Sequence, residues 1–66
     1  MLRFVFAYTL LSENVMNFEE IHAANEADAI AAGLRKLGMD IADADAEDLK
    51  ATAFDCDMIV GAHQIG

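Results

Sequence analysis

Apolar residues recur at every second position from Leu2 to Leu11, which predicts a strand. Leu2, Phe4, Phe6, Tyr8 and Leu10 fall on one face, and Arg3, Val5, Ala7, Thr9 and Leu11 on the other. Aromatic and β-branched residues favour a strand here. Because the second face is also mostly apolar, the strand belongs in the middle of a sheet. Ser12, Glu13 and Asn14 are polar turn formers between two apolar runs and read as a hairpin loop. Val15 to Ala23 is the returning strand. Its pattern changes phase, with Met16 and Phe18 on one face and Ile21 and Ala23 on the other. A bulge at Glu19 and Glu20 would bring all four inward.

From Asn25 to Leu37 the period becomes helical. Ala23, Ala27, Ile30, Ala31, Leu34 and Leu37 form the apolar stripe. Asn25 is a good N-cap, and Asp28 stands at the third helical position, as in a capping box. Glu26 and Asp28 face the positive end of the helix dipole, and Arg35 and Lys36 the negative end. Gly38 supplies a left-handed stop. Residues 38–42 are a connector, anchored by Ile41.

Residues 43–51 predict a second, shorter helix capped by Asp43 or Asp45, with Ala46, Leu49 and Ala53 as a thin stripe. Phe54 to Val60 alternates again. Phe54, Cys56, Met58 and Val60 share one face, and Asp55 and Asp57 the other, which reads as a third strand with an acidic outer face. Gly61 bends or ends it, and residues 62–65 continue it or fray.

The order is β-β-α-(α)-β in a single domain over residues 1–66. A hairpin joins the first two strands, and a right-handed helical crossover returns to the third. The fold class is therefore α+β: a three-stranded antiparallel sheet of order 2-1-3, with one main helix and a short second helix on one face. All five aromatics fall on predicted strands, which suits one core between sheet and helix.

Composition narrows the class. A chain of 66 residues buries only roughly 60% of its unfolded surface, and a 56% apolar fraction compensates. The lone Cys56 forms no intramolecular disulfide. No apolar run reaches the ~18 residues of a membrane helix. Met1 to Leu11 lacks a charged leader and a cleavage site. A cytoplasmic location is expected, with no membrane association.

Charge changes the picture more. Twelve acids stand against four bases, a net charge of −8. That sign disfavours direct nucleic-acid binding. It serves solubility, or it addresses a basic partner. Asp40, Asp43, Asp45, Glu47, Asp48, Asp55 and Asp57 lie close together in the chain, and Glu13, Glu19 and Glu20 belong to the hairpin. On a strand, Asp55 and Asp57 would stand about 6.6 Å apart at ~3.3 Å rise per residue. This is close to twice the ~3.4 Å per-strand rise of duplex DNA. A row of carboxylates at that spacing can occupy a groove built for phosphates, with fast, salt-sensitive association.

Other chemistry finds less support. A calcium loop beginning at Asp43 fails at its sixth and twelfth positions, where Asp48 and Phe54 replace the required Gly and Glu. His22, Cys56 and His63 are the only soft metal ligands and include no close pair. A Cys56–histidine nucleophile would need a substrate pocket that so thin a core does not provide. No glycine-rich phosphate loop is present. No catalytic residue, metal site or cofactor is assigned.

The hairpin followed by A-A-N-E-A-D-A-I-A-A-G (Ala23 to Gly33) resembles many small proteins encoded by phages and other mobile elements. With its acidity, the chain is similar to DNA-mimicking inhibitors, among them anti-CRISPR and anti-restriction proteins. The resemblance implies a non-enzymatic inhibitor of a nucleic-acid-binding effector complex, with a CRISPR effector blocked at DNA or PAM recognition as the leading target. The partner-binding residues expected from charge are Asp43, Asp45, Glu47, Asp48, Asp55 and Asp57, with Glu19 and Glu20. The alternative is a small interaction module, a homodimer or complex subunit, using the apolar outer sheet face at Val5, Ala7 and Leu11.

Overall fold

A computed structural model describes residues 1–66. Its elements are β1 (Leu2–Leu10), β2 (Met16–Ala23), α1 (Glu26–Lys36), α2 (Ala46–Asp55) and β3 (Met58–Gln64). The sheet is antiparallel in the order β2-β1-β3, as the patterning predicts. Phe4 and Phe6 of β1 point to the helices and are buried with Ile21, Ala23, Met58 and Val60 from the flanking strands. Ala29, Ile30, Ala31 and Leu34 of α1 close this core from above, and Leu49 and Ala53 of α2 close it from the side.

Both ends of α1 follow the sequence closely. The Asn25 side chain accepts from the Asp28 N–H at 2.9 Å. At the other end Gly38 has φ +91°, the Gly38 N–H donates to Arg35 and the Met39 N–H to Leu34. This pair of bonds is the Schellman arrangement, which a left-handed residue after the helix makes possible. The buried face is wider than the stripe. It takes in Ala29 and Gly33, while Leu37 is only partly covered, because α1 is covered by α2 as well as by the sheet.

Three expectations are corrected. β2 has no bulge, and its register against β1 is continuous from Met16 to Ala23. Ile21 and Ala23 therefore face the helices, and Met16 and Phe18 face away. Glu19 takes the inward place between them and accepts from Lys36 Nζ of α1 at 2.7 Å, which stabilises an acid on that side. Second, α2 runs on to Asp55 instead of ending near residue 51. Leu49 and Ala53, four apart, both reach the core, and the helical period holds the chain until they are buried. Third, Phe54 and Cys56 are not strand residues. Phe54 lies in α2, 59% exposed, and Cys56 is the exposed C-cap. β3 begins only at Met58 and runs through Gly61 to Gln64. The aromatics accordingly divide: Phe4, Phe6 and Tyr8 join the core, whereas Phe18 and Phe54 do not.

Both helices pack on one face of the sheet. The opposite face carries three complete cross-strand rows, beyond which Arg3 pairs with His22. Met16, Thr9 and Ile59 form one, Phe18, Ala7 and Gly61 the next, and Glu20, Val5 and His63 the third.

Candidate functional site

All four lysine and arginine side chains are paired inside the molecule. Arg3 bonds Glu20 at 3.3 Å, Arg35 bonds Asp43 at 3.2 Å, Lys36 bonds Glu19 at 2.7 Å, and Lys50 stands 3.7 Å from Glu26. Eight acids are left without a lysine or arginine partner: Glu13, Asp28, Asp40, Asp45, Glu47, Asp48, Asp55 and Asp57. Each of these eight is solvent-exposed.

The sequence-predicted residues thus fall into three groups. Glu19, Glu20 and Asp43 are engaged in ion pairs. Glu20 has two partners: the Arg3 side chain donates to it, His22 Nε2 lies at 3.3 Å, and these contacts keep its carboxyl below the usual glutamate value. Asp45, Glu47 and Asp48 occupy the start of α2. Asp45 is its N-cap, accepting from the Asp48 N–H at 2.9 Å, and Glu47 and Asp48 fill the first turn. Negative charge there complements the helix dipole, so folding alone accounts for these three.

Asp55 and Asp57 form the third group, and they do not lie on a strand. Asp55 is the last residue of α2, and Asp57 follows the C-cap with φ +59°. The strand-based spacing between them therefore does not apply. Their positions are locally unfavourable. Asp55 puts negative charge at the negative end of a helix that has no basic residue in its last turn. Asp57 adopts a left-handed conformation, which glycine takes most freely and which Asp tolerates better than most residues with a Cβ. It occupies the position that Gly38 fills after α1, and its N–H donates to Phe54 as that of Gly38 does to Arg35.

Glu13 joins this end of the molecule, which charge spacing alone does not reveal. The Leu11 N–H donates to the Asp57 carbonyl at 2.8 Å, and the Glu13 N–H to Leu10. The α2–β3 turn is thereby tied to the β1–β2 loop. The signal that could locate Glu13 is the pairing of Leu10 with Met58, which requires β3 to start three residues before Gly61.

The register also separates the nucleophile candidates. His22 pairs with Arg3 and His63 with Val5, near one end of β1, whereas Cys56 precedes the Leu10–Met58 pair at the other end. No three His, Cys, Asp or Glu side chains are arranged to hold a metal ion, and the surface has no pocket. No helix is long and apolar enough to cross a membrane.

Comparison with protein families, with curated proteins and with solved structures finds no match to this chain.

Proposed function

We propose that this protein is a non-enzymatic inhibitor that binds the basic, nucleic-acid-binding surface of a partner and presents carboxylates where phosphates would sit. The observation that carries this reading is the placement of Asp55 and Asp57. Most acids in the chain are used by the fold, in caps, at helix starts or in ion pairs. Asp55 opposes the helix dipole and Asp57 fills a left-handed position that glycine takes more freely, beside Glu13, with no lysine or arginine to offset them. Solubility is served equally well by acids in unstrained positions, whereas a partner requires charge at a particular place. Unfavourable local geometry is retained where function needs it.

A CRISPR effector blocked at target-DNA or PAM recognition is the leading target, on the resemblance to small acidic inhibitors. Asp40 and the acids at the start of α2, at the opposite end of that helix, add to the overall negative charge. Binding of this kind is electrostatically steered and weakens with salt.

Competition tests the reading. The protein is added to purified effector–guide complexes, and binding of labelled target duplex is followed at low and high salt. The expected result is displacement of duplex at low salt that fades as salt rises. A complex that holds duplex and inhibitor together would show that the two do not share a surface.

A further inference from the structure

The helix-free face of the sheet carries large side chains that nothing in the molecule covers. Phe18 is 69% exposed, Met16 52% and Ile59 49%. None of the eight acids lacking a lysine or arginine partner lies on this face. Its one carboxylate, Glu20, is neutralised by Arg3 and faced by His22. On a chain of net charge −8, this is the surface that a second equally acidic copy can approach with least repulsion.

The rows are also self-complementary. Turning one copy by a half-turn about an axis running close to β1 places its β2 over the other copy's β3, row by row. Phe18 then stands over Gly61, Met16 over Ile59, and Glu20 over His63. The largest exposed side chain meets the position with no side chain. A Cβ built at Gly61 finds no atom within 4 Å, so the space above it is open. Face-to-face sheets sit ~10 Å apart, which lets an aromatic ring reach the opposite backbone. Stacked sheets cross at about 30°, so the end rows splay and Arg3 remains at the rim on its own Glu20.

From these observations we infer that the helix-free sheet face is the docking site for a second copy of this chain, with Phe18 of each seated over Gly61 of the other. Three strands ~4.8 Å apart, each about seven residues long at ~3.3 Å rise, cover only roughly 14 by 23 Å. A standard stable interface buries ~800 Å² per partner. The dimer is accordingly a reversible one, populated at high protein concentration.

Salt separates this inference from the proposed function. Partner binding through carboxylates weakens as salt rises. Dimerisation strengthens, because the contact is apolar and the residual repulsion between copies is screened. Either can fail without the other.

The test is sedimentation equilibrium of the full chain from micromolar to millimolar concentration, at low and high salt. The expected result is a monomer–dimer equilibrium that tightens with salt. Phe18→Asp and Gly61→Ile each weaken it about tenfold or more, equivalent to at least ~1.4 kcal/mol. Gly61→Ile guards against a folding artefact, because the isolated monomer has room for the side chain and a strand favours it over glycine. Its melting temperature should equal or exceed that of the parent. A chain that stays monomeric at millimolar concentration overturns the inference. So does a dimer that salt dissociates, one that Gly61→Ile leaves intact, or a monomer that instead partitions onto phosphatidylcholine vesicles.

Discussion

A Cβ built on Gly33 would lie 2.5 Å from Cγ and Cδ2 of Phe6. The helix backbone of α1 therefore rests directly on the ring of the central strand's most buried residue, and only glycine permits that approach. Gly33→Ala sets two effects against each other. Alanine favours a helix over glycine by ~1 kcal/mol, but overpacking a closed core costs about 1–3 kcal/mol. Phe6 is fully buried and has nowhere to retreat. We expect net destabilisation of roughly 1 kcal/mol in urea unfolding, and partial rescue by Phe6→Leu in the double variant. Equal or higher stability for Gly33→Ala alone would mean that the ring can shift.

The two N-caps should behave alike. Asn25 and Asp45 each accept from the backbone N–H three residues on, both at 2.9 Å. Replacing either by alanine should cost about 1 kcal/mol. α2 contributes only Leu49 and Ala53 as buried residues and depends more on its terminus. Hydrogen exchange should therefore show Asp45→Ala opening α2 selectively, while Asn25→Ala lowers protection throughout.

These caps also show why part of the fold is legible in the sequence. A cap, a dipole-matched charge and a left-handed glycine act within a few residues of each other, so α1 can be read from end to end. The phase of β2 is a different case. Met16 with Phe18, or Ile21 with Ala23, could equally fill an inward face, and the choice is made by what α1 covers and by Lys36 reaching Glu19. At the α2–β3 boundary, F-D-C-D-M alternates as a strand while Leu49 and Ala53 continue a helical period. Tertiary burial of Ala53 resolves the conflict, and a local pattern cannot. The acids are legible as a count but not as a site, because which of them are paired depends on contacts far apart in the chain, such as Arg3 with Glu20, Lys36 with Glu19 and Lys50 with Glu26.

Glu20 links stability to pH. The Arg3 hydrogen bond, with His22 beside it, holds its carboxyl below the ordinary value of 4.5. Folding thus favours the deprotonated form. The contribution is complete above the unfolded value and is lost as pH falls through the lowered folded value. Protonation of the unpartnered acids acts in the opposite sense by relieving repulsion, so the effect of Glu20 must be read as a difference. Glu20→Gln should be less stable than the parent at neutral pH, and the gap should close as pH falls below 4.5 and through the lowered folded value. A gap that does not change with pH would assign Glu20 a packing role instead of an electrostatic one.

The end of α2 offers the sharpest test of function, because there stability and binding are expected to move in opposite directions. Asp55→Lys replaces a charge that opposes the helix dipole with one that complements it, worth about 0.3–1 kcal/mol at an exposed helix end. Asp57→Gly removes the strain of φ +59°. Because Asp tolerates that region, the relief is largely offset by the extra chain entropy of glycine, so the stability gain of the double variant comes mainly from Asp55→Lys. The double variant should unfold at a higher urea concentration than the parent. If these acids stand in for phosphates, the same variant should lose most of its ability to displace duplex from an effector complex. Charge reversal at the other end of the helix is a poorer probe, since Asp45→Lys removes a cap and Glu47→Lys opposes the dipole, so lost binding could reflect a frayed helix. A double variant that is more stable and still displaces duplex would show that Asp55 and Asp57 do not contact the partner, and would leave their strained placement without a functional cause.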